Sequence, residues 1–600
     1  MSASAAVQTV WAELVAGSLA DAGVEDVVVS PGSRSTPLAV ALARLPVRVH
    51  AIVDERAAGF FALGLARAGG APAAVVCTSG TAPAHYLPAV IEAAMSGVPL
   101  VVVSADRPPE LQGAGASQTI DQTKLFGGFV RRFDDLGPPD ASALALRAVR
   151  RKLGQAVAAA RGPAPGPVHV NVPLRKPLEP AAPATAEDRA AAAEATRLRA
   201  LPIAATAATV RVPDDVIVRV AAAMAATERG LLLATAGPAS RRASRSAAFA
   251  LAARAGWPVL AEAGSQLRFA PRDGATAAVT MIDHLALTAS PALAPDIVVQ
   301  LGGEPVAMGL GALTAGARRF VIAEHGWPDG DSTAEAVLVG DVADTLTRLA
   351  AALVTTRLPS AYARAWREAD RAAADALAGA LAEHAATRPG KAAEHAMVGA
   401  AIAAVPAGGQ LVLGNSLPVR VADEIAAGGR DLAVFTQRGA AGIDGLVAGA
   451  AGAAARGGAT VLVLGDVSFA HDVGALACAR GLPLAIVVID NGGGRIFDQL
   501  PVAGCDLPDG AFERLWRTPP ALDPVAAARA FGLDAALVRD PDEMAAAIDR
   551  SLGRGTGRGA AGPIVIHAPV APESAATIRS AVTAALAAPA SGRSPQRSHA

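Results

Sequence analysis

The strongest constraint on this chain is a repeated pattern. Short apolar runs, each long enough for one strand, alternate with helical stretches in three successive blocks. The first block holds "DVVVS" (26–30), "AAVVCTSG" (73–80), "PLVVVSAD" (99–106) and "GPVHVNVP" (166–173). The second holds "GLLLATAG" (230–237), "WPVLAEAG" (257–264), "DIVVQLGG" (296–303), "RFVIAEHG" (319–326) and "AVLVGD" (336–341). The third holds "QLVLGNS" (410–416), "LAVFTQRG" (432–439), "TVLVLGD" (460–466), "PLAIVVIDNGGG" (483–494) and "GPIVIHAP" (563–570). Uninterrupted apolar strands separated by helices predict parallel sheets covered on both faces. The expected fold class is α/β, with three parallel-sheet domains. The expected boundaries are a first α/β domain at 1–180, a polar Ala-rich linker at 181–206 and a Rossmann-like middle domain at 207–355. A third α/β domain spans 356–585, opening on an amphipathic helix near 359–387, and a disordered tail covers 586–600. "GPVHVNVP" and "GPIVIHAP" close their blocks alike, which suggests that the first and third domains are related.

Composition excludes several classes. The chain of 600 residues is 52% hydrophobic, but alanine inflates that value and no apolar run is long enough for stable membrane insertion. A net charge of −1 gives no global field to recruit nucleic acid or a membrane surface. The start, "MSASAAVQTVWAELVAGSLADAGV", lacks a basic segment ahead of its apolar stretch and reads as an amphipathic first helix rather than a signal peptide. Cys77, Cys478 and Cys505 lie far apart and form no metal pattern, which points to a reducing cytoplasm.

The sharpest chemical signal is in the third block. Gly465-Asp466 ends one apolar run, and "IDNGGGRIF" ends the next, with Asn491 twenty-five residues beyond Asp466. Neighbouring parallel strands place their carboxyl ends side by side, where ligands bind. A carboxylate (Asp466), an amide oxygen (Asn491) and a glycine carbonyl (Gly493) are hard oxygen ligands suited to Mg²⁺, and the glycines let the backbone approach a diphosphate. Taken singly, Asp466 reads equally well as a helix cap and the glycines as a turn.

This pair of motifs resembles the diphosphate motif of thiamine diphosphate-dependent enzymes, Gly-Asp-Gly followed some twenty-five residues later by Asn-Asn. Here "GDV" and "DN" depart from it, while the metal-binding Asp and the second Asn remain. The resemblance implies a pyrimidine-binding first domain, a diphosphate-binding third domain, thiamine diphosphate as cofactor, and Mg²⁺ with Mn²⁺ as an alternative. It also implies a glutamate after the second strand of the first domain, to bond the aminopyrimidine ring. Glu55 in "IVDERAAGFFALGLARAGG" (52–70) stands there, where an N-terminal helix carboxylate is the bland alternative. Ile443 in "QRGAAGIDG" matches the family's aliphatic prop for the cofactor.

Four arginines follow apolar runs: Arg34 ("PGSRSTP"), Arg107 ("SADRPPE"), Arg420 ("NSLPVR") and Arg438 ("TQRG"). Each alone reads as a surface residue, but four in equivalent places suggest a site for several carboxylates. With "SPGSRSTPL", "DERAAGFFALGLA", "TSGTAPAHYLPAVIEA", "GASQTIDQ" and "DNGGGRIF", the set resembles the menaquinone-pathway carboligases of this enzyme family. That resemblance implies that 2-oxoglutarate loses CO₂ on thiamine diphosphate and that the succinyl carbanion equivalent adds to isochorismate in conjugate fashion. It gives Glu55, Ser33, Arg34, Gln118, Arg420 and Arg438 catalytic roles. It assigns Arg34, Arg107, Gln118, Ser416, Arg420 and Arg438 to substrate, and Glu55, Ser416, Ile443, Asp466 and Asn491 to the cofactor. Arg420 and Arg438 are expected at the succinyl carboxylate, and Arg34, Arg107 and Gln118 at isochorismate. The cofactor site is expected between subunits of a homodimer or homotetramer.

Three departures stand out. Met308 in "GGEPVAMGL" replaces a family lysine, Gln437 replaces an asparagine before Arg438, and "RTPP" (517–520) replaces Thr-Pro-His. His85 and His471 read as non-catalytic. Two alternatives stay open: another thiamine diphosphate-dependent 2-oxoacid decarboxylase or acetolactate synthase-like enzyme, and a non-catalytic nucleotide-binding oligomer. The second lacks a Gly-x-Gly-x-x-Gly turn after its first strands.

Overall fold

The structure is a computed structural model, and it describes residues 4–203, 206–271, 278–425, 427–553 and 562–587. Most of the expected tail, 586–600, lies outside these residues.

The first sheet contains β1 (Asp26–Val29), β2 (Arg48–Ala51), β3 (Ala73–Cys77), β4 (Leu100–Asp106), β5 (Phe133–Asp135) and β6 (Pro167–Pro173). Its order is β2-β1-β3-β4-β6-β5. The middle sheet contains β7 (Gly230–Ala234), β8 (Val259–Ala261), β9 (Ile297–Leu301), β10 (Arg318–Ala323) and β11 (Ala334–Val339), in the order β11-β10-β9-β7-β8. The third contains β12 (Gln410–Leu413), β13 (Ala433–Thr436), β14 (Thr460–Gly465), β15 (Leu484–Asp490), β16 (Asp534–Leu537) and β17 (Ile564–Pro569), in the order β13-β12-β14-β15-β17-β16. Neighbouring strands pair in parallel in all three sheets.

The first and third sheets share one topology. Counted within each domain, both read second, first, third, fourth, sixth, fifth. The similar closing segments fall on β6 and β17, which hold the same place. Central strands β3, β4 and β6 are buried along their whole length, as helices on both faces require.

Two expectations change. The first helix, Ala5–Asp21, is not amphipathic: residues from Ala6 to Leu19 are buried nearly all round it. Helices Thr36–Ala43, Ala143–Arg161 and Ala186–Arg199 cover it. The last of these lies inside the segment 181–206 expected to be a linker. Thr185 and Asp188 form a reciprocal capping box at its start, and Ala191, Ala195 and Leu198 join the first domain's core. Alanine richness there marks helix packing, not a flexible tether.

The domains share cores. One apolar cluster joins helix Glu55–Gly69 and β3 of the first domain to helix Leu446–Gly457 and β14 of the third. Another joins the middle sheet to β12, β14, β15 and β17, with helix Ala361–Thr387 beside it. Ser360 caps that helix, close to its expected start.

Candidate active site

Asp466 opens a short helix directly after β14, and Asn491 follows β15, its hydrogen-bonded neighbour. Asp466 Oδ2 accepts from Gly493 N–H at 2.7 Å and Oδ1 from Val467 N–H at 2.9 Å. Burial pushes the Asp466 carboxyl up to about 6, and the neighbouring Asp490 adds to the effect. Asp490, which stands in the place of the family's first asparagine, is held low chiefly by its hydrogen bond with His567, 2.8 Å away. Asn491 Nδ2 donates to Glu394 Oε2 at 3.0 Å, while its Oδ1 is buried with no partner among the described residues. Gly493 has φ +111°, and a Cβ there would stand 2.3 Å from the Arg517 carbonyl oxygen. An acidic carboxylate, an orphaned amide oxygen and a glycine-only backbone turn fit a hard divalent cation.

At the carboxyl edge of the first sheet, Arg34 lies in the turn Ser33–Ser35 after β1. Its guanidinium is buried, donates to the Leu174 carbonyl at 2.7 Å and leaves Nε with no partner among the described residues. Burial, then the charge of Arg107, lowers its pKa. Arg107, after β4, donates to Ser79 Oγ. Ser79 Oγ donates to the Gln118 carbonyl at 3.1 Å, and Gln118 Nε2 returns a bond to the Ser79 carbonyl at 3.0 Å. Gln118 holds a left-handed φ of 54°. Ser79 therefore ties Arg107 to Gln118, beside Arg34. Ser33 is exposed at the same edge.

Glu55 begins helix Glu55–Gly69 and is half-buried. The cap of that helix is Asp54, whose Oδ1 accepts from Arg56 and Ala57 N–H at 2.9 and 3.3 Å. The neighbour thus already complements the helix dipole and leaves Glu55 free of that role. Next to it, Arg56 pairs with Asp472 of the third domain at 3.2 Å. His85 and His471 are exposed, and His471 contacts Arg56.

The remaining arginines converge after β12 and β13. Ser416 adopts φ 71°, ψ −127° ahead of helix Leu417–Asp423, and its carbonyl accepts from Arg420 NH1 at 2.8 Å. Arg420 Nε is buried with no partner among the described residues. Burial, followed by the charge of Arg438, lowers its pKa. Arg438 NH1 donates to Asn415 Oδ1 at 3.3 Å. Asn415 Nδ2 donates to the carbonyls of Gln437 (2.9 Å) and Gly442 (2.7 Å), which shapes the loop bearing Arg438 and the half-buried Ile443. Gln437 is buried and bonds the Asp444 carbonyl at 2.8 Å, so this departure serves the same loop.

Other domains hold these pieces in place. Glu92, from the first domain, accepts from Gly439 N–H at 3.1 Å and Ala440 N–H at 2.6 Å, and pairs with Arg67. Arg268, from the middle domain, donates to the carbonyls of Ala422 (3.2 Å), Ile425 (2.6 Å) and Ala427 (2.8 Å), gripping the end of the Arg420 helix. Buried Glu262 accepts from Val306 and Ala307 N–H, and Met308, where the resemblance leads one to expect lysine, is 44% exposed. Sequence reasoning missed Ser79, Glu92, Arg268, Glu394 and Asn415. Ser79, Glu92 and Asn415 carried a signal, because they sit inside the motifs "TSGTAPAHYLPAVIEA" and "GNS".

His284, His395 and Glu424 bring donor atoms within 4.8 Å of one another in the buried seam between middle and third domains. Glu424 already pairs with His395 through one oxygen (2.6 Å) and with Arg579 through the other. With a guanidinium in contact, this is an ion-pair joint rather than a second cation site.

Two sheets of one topology, a hard-oxygen loop on one and a helix-opening carboxylate on the other define the thiamine pyrophosphate enzymes. The chain matches the sequence models described as "Thiamine pyrophosphate enzyme, N-terminal TPP binding domain" over residues 10–125 and "C-terminal TPP binding domain" over residues 427–568. It is 44% identical over 596 residues to the 2-succinyl-5-enolpyruvyl-6-hydroxy-3-cyclohexene-1-carboxylate synthase of Sorangium cellulosum, covering 95% of this chain and 94% of that one. It is 40% identical to the enzyme of that name from Halobacterium salinarum (91% and 93% covered) and 39% to that of Myxococcus xanthus (87% and 89%). The chain belongs to the 2-succinyl-5-enolpyruvyl-6-hydroxy-3-cyclohexene-1-carboxylate synthase family. Among solved structures, benzoylformate decarboxylase from Polynucleobacter necessarius shares the fold, with TM-score 0.69 at 19% identity over 94% of this chain and 99% of that one. A Rhodococcus jostii 4-hydroxybenzoylformate decarboxylase does so at TM-score 0.69 and 18% identity, over 93% and 99%. Among the described residues, no helix is long and apolar enough to cross a membrane.

Proposed function

We propose that this protein decarboxylates 2-oxoglutarate and transfers the remaining succinyl group to isochorismate by conjugate addition. The products would be CO₂ and 2-succinyl-5-enolpyruvyl-6-hydroxy-3-cyclohexene-1-carboxylate, within menaquinone biosynthesis. The observation that carries this reading is the presence of two buried or half-buried arginine pairs, Arg34 with Arg107 and Arg420 with Arg438, at the carboxyl edges of two sheets. Both substrates are dicarboxylates, and guanidinium clamps a carboxylate in a fixed plane.

Thiamine diphosphate, when bound, supplies the carbon nucleophile and electron sink that let a 2-oxoacid lose CO₂. Asp466, Asn491 Oδ1 and the Gly493 carbonyl would hold Mg²⁺ or Mn²⁺ for its diphosphate. Glu55 would share a proton with the aminopyrimidine ring nitrogen, and Ile443 would support the cofactor from beneath. Arg420 and Arg438 would hold the distal carboxylate of 2-oxoglutarate. Each has a polar atom to spare once its loop contact is made, and the orphaned Arg420 Nε is the clearest such donor. Arg34, Arg107 and Gln118 would orient isochorismate, with the exposed Ser33 hydroxyl beside them. Ser416 would place its hydroxyl next to the reacting centre.

Glu55 and the metal loop would meet across two subunits, in a homodimer or a pair of such dimers. Cys77, Cys478 and Cys505 form no disulfide, in keeping with a cytoplasmic setting.

The test is the purified protein with 2-oxoglutarate, isochorismate, thiamine diphosphate and Mg²⁺, followed by the loss of isochorismate absorbance. CO₂ release from pyruvate in preference to 2-oxoglutarate would assign the protein to another 2-oxoacid chemistry. In Arg420→Ala, an unchanged KM for 2-oxoglutarate would remove Arg420 from the succinyl carboxylate.

A further inference from the structure

We propose that Glu394 is a positioning residue that turns the Asn491 amide so that its carbonyl oxygen is presented to the metal. The role rests on the reading of Asp466, Asn491 and Gly493 as ligands. Glu394 opens helix Glu394–Ala404 and is wholly buried. Its backbone N–H donates to Ser574 Oγ at 3.0 Å, and that hydroxyl donates to the Ala571 carbonyl at 2.7 Å, so the residue is anchored before its side chain is used. Its Oε2 accepts from Asn491 Nδ2 at 3.0 Å.

The chemistry of that bond is directional. An ionised carboxylate can only accept, so only the nitrogen end of the amide can face it. The oxygen end must then turn away, and Asn491 Oδ1 is found buried with no hydrogen-bond partner among the described residues. A flipped amide would present –NH₂ to the cation and supply no ligand. The nearby buried acids do not stand in for Glu394, because Asp466 bonds the backbone of Gly493 and Val467, and Glu424 is committed to His395 and Arg579. Partners that orient a metal ligand in this way typically contribute about 10–100-fold in metal affinity.

The bond can be reversed, which gives a test that a general packing role would not pass. Mn²⁺ is titrated into full-length protein with thiamine diphosphate, and free Mn²⁺ is read by electron paramagnetic resonance. In Glu394→Gln the Asn491 amide can face either way, and affinity is expected to fall by about tenfold or more. Asn491→Asp alone sets two carboxylates against each other and also weakens binding. The double variant E394Q/N491D inverts donor and acceptor: the new amide donates to the new carboxylate, whose free oxygen faces the cation. It is expected to recover most of the lost affinity, a strongly non-additive result.

A folding defect would lower the metal-free melting temperature and would not be cured by inverting one bond. Wild-type-like affinity in Glu394→Gln, or a double variant as weak as both single losses combined, overturns the role. Wild-type protein that takes up no Mn²⁺ with the cofactor removes the metal site itself, and this role with it.

Discussion

Gly64 and Gly449 touch across the junction of the first and third domains: a Cβ on Gly64 would stand 2.0 Å from the Gly449 carbonyl oxygen. The contact is reciprocal in kind, since a Cβ on Gly452 would lie 2.0 Å from the Phe61 carbonyl oxygen. Helices Glu55–Gly69 and Leu446–Gly457 therefore meet backbone to backbone. One begins at Glu55 and the other follows the loop of Arg438 and Ile443, so their spacing fixes where both of these segments stand. Gly64→Ala should destabilise the fold by about 1–3 kcal/mol, because the obstacle is main chain and cannot step aside. Urea unfolding checks this, and an unchanged midpoint would show that the helices separate freely.

Glu92 holds the Arg438 loop from another domain. Glu92→Gln keeps the shape but loses the charge that pairs with Arg67, and it offers one acceptor oxygen where two N–H groups need one each. The KM for 2-oxoglutarate should rise roughly tenfold, equivalent to about 1.4 kcal/mol, with a smaller change in kcat. Steady-state kinetics with each substrate varied in turn separate this from a general loss. A KM rise confined to isochorismate would contradict the placement of Arg438.

Gly493→Ala should weaken metal binding while the domains stay folded. The new Cβ meets the Arg517 carbonyl at 2.3 Å in a backbone region that side chains rarely adopt. The loop must shift, and Mn²⁺ affinity should fall by at least about tenfold, in line with an overpacking cost of about 1–3 kcal/mol. Melting curves without metal should show no more than a cost of that same size, and a wholly unfolded variant would leave the loop untested by this route.

The joint at Glu424 has a definite pH signature. Burial alone would raise its carboxyl, but the hydrogen bond and charge of His395, with Arg579, hold it down to about 2 against an ordinary 4.5. A carboxyl lowered in the folded state adds stability that is fully present above about 4.5 and is lost as pH falls toward about 2. Glu424→Gln removes that contribution and leaves Arg579 buried without its anion, a loss of about 3–5 kcal/mol near neutral pH. The gap between wild type and variant should narrow steadily below pH 4.5. A gap that stays constant with pH would mean that Glu424 is not the titrating group.

The sheets were legible because their central strands are buried on both faces and spell unbroken apolar runs. β2 ("RVHA"), β5 ("FDD") and β16 ("DAAL") were not among the apolar runs because they are short edge strands, paired on one side, with no unbroken run of Val, Ile or Leu. The site was legible where function puts unusual residues at strand ends, as in "PGSRS", "GNS" and "DNGGG". It was illegible where one domain steadies another. Glu92 lies 347 residues from Gly439, and Arg268 lies 157 from Ile425. Arg268 sits in an ordinary-looking stretch, and Glu92, though inside "TSGTAPAHYLPAVIEA", has a partner that exists only after the chain has folded. The expected linker failed for a related reason, since the partner that gives helix Ala186–Arg199 its place is the first helix of the chain.

Ser416 carries one last implication. Its φ of 71° with ψ −127° is a conformation that glycine enters freely and other residues enter at a cost of about 1–3 kcal/mol. The fold tolerates that tension at the point where the chain leaves β12 and the Arg420 helix begins. Ser416→Gly should therefore make a sturdier protein and a poorer catalyst, with a higher melting temperature and a lower turnover. Selection for heat resistance alone would favour glycine here, so an unchanged turnover in Ser416→Gly would show that the tension serves no catalytic purpose.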